Sequence, residues 1–209
     1  GSDNVGIGKD ALGANTTASS NVAIGKNALK TVTTGAFNVA VGDGTLKVST
    51  GASNTALGYR GLTANTTADH NTAVGYLSLD ANTTGGDNSA FGSWAASGNT
   101  TGTRNTAIGY NAFYVNTTGS YNTAIGSKAL DANTTANYNT ALGYDTLGVN
   151  TTGASNVAVG MQSLKLNTTG SDNTAVGRDT LDANTTASYN TAVGAEALTT
   201  NTTGSSNTA

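Results

Sequence analysis

The sequence predicts an all-β protein: a parallel β-solenoid, of the β-roll or β-helix kind, built from 17-residue coils. Three observations predict it. The phrase N-[T/V/S]-[A/G]-apolar-G opens twelve successive copies, at Asn4, Asn21, Asn38, Asn54, Asn71, Asn88, Asn105, Asn122, Asn139, Asn156, Asn173 and Asn190, with a fragment at Asn207. Eleven copies hold 17 residues and the copy from Asn38 to Ser53 holds 16, a period too short for repeats built of paired helices. Asn, Thr and Gly, abundant throughout, are poor helix formers, and the run N-T-A-V-G alternates briefly and stops at Gly, as a short strand does at a corner. Residues 1–209 therefore read as a single array of twelve coils, which starts and stops in mid-phrase and is expected to be a piece of a longer fibre. At a strand spacing of ~4.8 Å, twelve coils make a rod of about 58 Å.

Numbering each copy from its opening Asn, the elements follow in order. Position four is always large and apolar and is expected to face the core, and position two shares its parity and toggles between the isosteric Val and Thr, as expected of a half-buried strand site. Ile24, Val74, Ile108 and Ile125 are the expected core residues at position four, with Leu130 and Leu147 at position nine, which is Leu in ten copies. Position five is Gly every time, consistent with a backbone angle that side chains disfavour. Position eight is always small. Asn at position one (Asn71, Asn105, Asn122) and position twelve (Asn82, Asn116, Asn133) is expected to form ladders along the rod, each amide donating to one neighbouring coil and accepting from the other. The N-T-T that follows is also a glycosylation sequon in ten copies. A laddered Asn cannot carry a glycan, and the structural reading is the one adopted. The 16-residue copy spells LKVSTG and is read as having lost its second Asn.

Charge gives an independent view of the register. All 21 Asp, Glu, Lys and Arg residues fall at positions six, seven, ten, sixteen and seventeen, as do every Tyr, the one His and the one Trp. Those five positions are expected to face solvent or a neighbouring chain, and the other twelve to belong to the coil. The candidates for surface recognition are Tyr59, Tyr76, Tyr110, Tyr114, Tyr121, Tyr138, Tyr144 and Tyr189. In-register stacking sets Tyr59 over Tyr76 and Tyr121 over Tyr138, about 5 Å apart, as strips able to lie against sugar faces. Trp94 accompanies the one small residue at position nine, Ala96, and is expected to swing in and fill that gap.

The composition excludes several classes of function. A net charge of −3 with 10% charged residues does not suggest a nucleic-acid or anionic-membrane partner. No cysteine means no disulfide and no thiolate metal site, and no apolar run approaches membrane-spanning length. No cofactor site is read: lone G-x-G fragments such as Gly6-Ile7-Gly8 open no helix, and the calcium pattern G-G-x-G-x-D is absent. The single His70 sits at variable position seventeen, a surface position, and the acidic residues Asp179, Asp182 and Glu196 suit a solvated face better than a glycosidase pair, which needs a cleft. No enzyme is expected.

The phrases NVAIG (Asn21–Gly25), NTAIG (Asn105–Gly109 and Asn122–Gly126) and NVAVG (Asn38–Gly42 and Asn156–Gly160) resemble the head repeats of trimeric autotransporter adhesins. With the ALDANTTG-like tail they are also similar to phage tail-fibre-like and other bacterial fibre repeats. The resemblance covers essentially the whole chain. It implies a left-handed parallel β-roll, three chains intertwined about one axis, with the position-two and position-four residues, such as Val22 and Ile24, inward. The present period is longer than that of the adhesin heads, and the residues around NTTG are read as a third face or a longer corner. Independently, each coil carries only two large apolar side chains. That is a thin core for a chain without disulfides, and sharing apolar faces among identical chains would thicken it, so a homotrimer is expected.

The function expected is that of a structural, adhesive extracellular fibre, a stalk or head on a cell or virion surface. Its partners would be itself and, through weak repeated contacts, cell-surface glycans or a host receptor. A phage tail-fibre shaft is the near alternative. An ice-binding β-solenoid is the distant one, since adjacent Thr residues of a strand face opposite sides and the N-T-T pair supplies no T-x-T face.

Overall fold

The computed structural model describes all residues from Gly1 to Ala209. Twelve strands of three residues run from β1 (Val5–Ile7) through β8 (Thr123–Ile125) to β12 (Thr191–Val193). They form one parallel sheet in sequence order, each strand pairing with the next copy of itself. Ile108 lies opposite Ile125, Ala107 opposite Ala124 and Thr106 opposite Thr123. The chain is thus a parallel β-solenoid of stacked 17-residue coils, with no helix.

The stitching does not stop at the strands. Of 127 backbone hydrogen bonds only 22 lie within the named strands, so most of the coil's circumference is bonded by turns and by neighbouring coils. In coil eight, Gly126 N–H donates to the Ile108 carbonyl behind it at 2.7 Å, and Leu130 N–H donates to the Thr146 carbonyl ahead at 3.0 Å. Three non-glycine residues in every coil but the third, where Gly44 takes one of the places, adopt left-handed backbone angles to make the corners. In coil eight these are Lys128 (φ 58°), Leu130 (φ 51°) and Tyr138 (φ 62°), conformations that cost energy and persist because the bonds on either side fix them. Position five needs glycine for two reasons. Gly126 has φ 131°, and a Cβ there would sit 2.2 Å from the carbonyl oxygen of Gly143, its counterpart one coil on.

The inside of the rod corrects the expected parity. Ala at position three is the strand residue that points inward: Ala23, Ala73, Ala107 and Ala124 are wholly buried. Ile24, Val74 and Ile125 are only half-buried, and Ile108 is 38% exposed. Leu130 and Leu147 are wholly buried and belong to a continuous core of Ala and Leu that runs along the rod. The reason lies in position one. Its Asn is buried because its amide closes the coil, and side chains two apart on a strand share a face. Position three is thereby drawn inside and positions two and four are turned out. The enclosed space holds one large side chain in most coils, Leu at position nine, between the small residues of positions three and eight.

Two local expectations are corrected as well. Trp94 does not fill the space beside Ala96. It is half-buried and packs edge-to-face against Tyr76 and Tyr114, while Phe113, the bulkiest of the fully buried side chains, occupies position nine one coil on. A small residue and an oversized one in neighbouring coils together keep the core filled. In the 16-residue coil, Ser49 takes the ladder position: it is buried and its Oγ accepts from Asn65 Nδ2 at 3.1 Å. The missing residue comes from the Thr pair, since Thr50 alone bonds to Thr66 through both its N–H and its hydroxyl.

Candidate functional site

From coil four to coil eleven both Asn ladders converge on one carbonyl per coil. In coil seven the Gly119 carbonyl accepts from Asn105 Nδ2 at 2.9 Å and from Asn116 Nδ2 at 3.0 Å. Asn105 Oδ1 accepts from the backbone N–H of Asn122 at 2.9 Å. Asn116 Nδ2 also donates to Asn99 Oδ1 at 2.6 Å, and Asn133 Nδ2 donates to Asn116 Oδ1 at 3.0 Å. Asn71 and Asn82 share the Gly85 carbonyl in the same way. Asn71, Asn82, Asn105, Asn116, Asn122 and Asn133 are all buried, so their amides are engaged inside the coil and are not available to a glycan. The first Thr of each N-T-T pair turns its hydroxyl onto the Thr carbonyl of the next coil, as Thr100 does to Thr117 at 2.8 Å and Thr117 to Thr134 at 3.0 Å.

The outer surface divides into a strand face and a set of side-chain columns. On the strand face, positions two and four make two parallel columns along the whole array. Ile7, Leu57, Phe91, Ile108, Leu142 and Val193 are among its exposed apolar side chains. Positions eleven, thirteen and fourteen also lie at or near the surface, so the outside is wider than the five positions that carry charge. The signal for this face was present in the sequence: position three is Ala in eleven copies, whereas position four ranges from Val to Phe. A close-packed interior tolerates the first pattern and not the second.

The aromatic residues form two strips. Tyr59 and Tyr76 stack at 5.4 Å between centroids with an interplanar angle of 13°. The strip continues edge-to-face to Trp94 at 5.4 Å and then to Tyr114 at 6.0 Å, so four rings span four coils. Tyr121 and Tyr138 stack at 5.1 Å and 17°, with the Arg104 guanidinium 5.3 Å from the centre of the Tyr121 ring. That second strip lies in the column of position seventeen, where, in the coils before it, His70 Nδ1 and Arg104 Nε each lie 3.6 Å from the Asp87 carboxylate. Tyr110, Tyr144 and Tyr189 are exposed and have no ring partner.

One cavity, of about 280 Å³, opens on this surface around Gly44, between Asn27 and Arg60. Sequence reasoning did not find it, although Gly at position seven occurs only there.

No helix is long and apolar enough to cross a membrane. Fold and surface together define a β-solenoid repeat protein with a buried Asn frame and an outward apolar strand face. No protein-family model matches the chain, and neither a curated protein nor a solved structure does.

Proposed function

We propose that this chain is a length of structural, adhesive extracellular fibre, part of the stalk or head of a surface adhesin or of a phage tail-fibre shaft, assembled as a homotrimer. The outward apolar column of position four carries the reading. It runs in register through every coil of a rod whose own interior encloses a single large side chain in most coils. A straight apolar stripe of this length is a surface that soluble monomers avoid, and an identical stripe on a second and a third copy matches it in spacing by construction. The resemblance to adhesin heads supplies the number three and the left-handed sense. In the assembly Ile24, Val74, Ile108 and Ile125 regain the core role expected of them, between chains instead of within one. The fibre does no chemistry of its own. Its Tyr strips touch cell-surface glycans or a host receptor weakly, and repetition along and among chains multiplies those contacts.

Light scattering on the purified array tests this. The expected mass is three times the 20.6 kDa of one chain, and Ile108→Lys with Ile125→Lys is expected to release monomers or prevent folding. A wild-type array that is monomeric and melts sharply overturns the trimer.

One observation favours a second reading. The strand face carries Thr at position two in seven coils, including Thr106, Thr123 and Thr140, beside the apolar column. A regular Thr column beside apolar groups is a surface on which water could order, as in ice binding. The side chains at position four range from Val41 to Phe91 and make the face uneven, which favours protein contact. Thermal hysteresis near zero removes the ice reading.

A further inference from the structure

Position seven carries a side chain in every coil except coil three, where it is Gly44. The gap is not closed by neighbours. A Cβ placed on Gly44 meets only Arg60 Cγ, at 3.4 Å, and the space left is the cavity of about 280 Å³. That volume is at the small end of ligand pockets and suits one sugar ring.

The groups around it are specific in chemistry. Arg60 and Lys47 both line the cavity, and neither is held in an ion pair. Asp43 lines it too and is likewise unpaired. Thr63 bonds the backbone rather than the opening: its Oγ1 donates to the Arg60 carbonyl at 2.7 Å and to the Gly44 carbonyl at 3.0 Å, fixing the floor. Tyr59 is the terminal ring of the four-ring strip. Tyr76 stacks on it from the next coil, and Tyr59 itself lines the cavity together with residues of coil three.

We propose that the Gly44 notch binds a carboxylated pyranose, a hexuronate unit of a glycan. The planar guanidinium of Arg60 takes the carboxylate as a fork, with Lys47 adding a point charge. The Tyr59 ring that lines the notch takes the apolar face of the sugar. Asp43 and Asn27 accept from and donate to its hydroxyls. The charges select this ligand against simpler ones. Two cations and one carboxylate leave a single net positive charge, which matches one carboxylate. A bare phosphate makes no use of Tyr59 and carries more negative charge than the single net positive charge matches, and a neutral sugar leaves Arg60 and Lys47 without a partner. The proposal deepens the glycan-recognition part of the fibre reading, and it does not depend on the number of chains.

Saturation-transfer NMR and calorimetric titration with methyl β-D-glucuronide and methyl β-D-glucoside test it on the full array. The glucuronide is expected to bind in the millimolar range, with its ring protons saturated, and the glucoside at least about tenfold more weakly. Gly44→Asn is expected to abolish binding. Asn adopts the same left-handed angle at Asn27 (φ 59°) and Asn111 (φ 54°), so this substitution restores the regular column and fills the notch without strain. Arg60→Gln is expected to weaken binding about tenfold, independently of whether the first variant folds. Lys128→Gln, at the same position in coil eight, is expected to change nothing. Binding that survives Gly44→Asn in a folded array, equal binding of the glucoside, or equal binding of inorganic phosphate alone overturns the proposal. So does an acidic peptide that binds while the glucuronide does not. Light scattering on the same samples reports chain number, so a lost sugar site and a lost fibre assembly are told apart.

Discussion

Coil eight and coil twelve spell nearly the same phrase and hold it differently. Leu130 is wholly buried, whereas its counterpart Leu198 is only partly so. Asn133 donates to Asn116 and accepts from Asn150, while Asn201 donates to Asn184 and has no following ladder Asn within residues 1–209. Ile125 is half-buried and Val193 is 61% exposed. The difference teaches where the fold's stability resides. A coil encloses too little to hold itself, and its walls are the coils on either side. The array is therefore close to a sum of nearest-neighbour interfaces, and the same substitution has a cost set by its place in the stack.

The sharpest break of that comparison is at position five. Gly126 and Gly194 share φ 131°, but a Cβ on Gly126 meets backbone at 2.2 Å and a Cβ on Gly194 meets nothing within 4 Å. Gly194→Ala should cost only the backbone strain, about 1–3 kcal/mol. Gly126→Ala should add the parting of two coils, several kcal/mol more, and the array should open in the middle. Hydrogen exchange at Gly126, Gly143 and their neighbours measures it. Equal protection loss in the two variants would show that stacking does not govern the backbone here.

The Asn ladder should give a smaller but clear contrast. Asn116→Ala strands Asn99 Oδ1, the Asn133 amide and the N–H of Gly119, all of which it now satisfies. Unpaired buried polar groups cost about 1–3 kcal/mol each, partly recovered by relaxation, so an expected loss of about 3 kcal/mol is modest. Asn201→Ala interrupts a ladder on one side only and should cost about 1 kcal/mol. Thermal melting of the pair, read together with exchange at Gly119, checks the ordering. The lesson would be reversed by a larger loss at Asn201.

The architecture was legible because repetition exposes backbone demands. A glycine at every fifth position and an Asn at every first are what stacked coils require, and the register of Ile108 on Ile125 followed from them. Inside and outside were not legible from hydrophobicity. In a wide solenoid the bulky residue of a strand points in; in this narrow one there is room for Ala107, and Ile108 points out. The constraint that decides it is in the sequence: Asn105 belongs in a buried ladder, and Ala107, two residues on, must share its side. Placing both Asn105 and Ile108 inside contradicts strand alternation. The stacked Tyr pairs could be foreseen from register, but the links through Trp94 to Tyr114 could not, since those rings sit at three different positions of the coil. The Gly44 notch was invisible for another reason. It is an absent side chain, and becomes a cavity only when Asn27 and Arg60 stand above and below it.

Position ten offers the finest test of interior against end. Coil eight has Asp131 there and coil twelve has Thr199. Burial first, and then the carboxylate of Asp145 in the next coil, push the Asp131 carboxyl above the usual carboxylate range, with Lys128 pulling it partly back. A carboxyl whose folded-state pKa is raised favours the fold when protonated. That contribution is complete below the ordinary carboxylate range and is lost as pH rises through the raised folded-state value. Asp131→Asn keeps the shape and removes the charge, so at neutral pH it should melt higher than wild type by about 1 °C, the site being half exposed. The advantage should vanish as pH falls through the carboxylate range, where both proteins carry a neutral side chain. Thr199→Asp, in coil twelve, places a carboxylate that no complete coil covers within residues 1–209 and, in the 209-residue array, should show no such pH-dependent difference. Parallel melts of the two variants across that range decide the matter, and a wild type that melts higher than Asp131→Asn at neutral pH would mean that Lys128, not burial, governs the site.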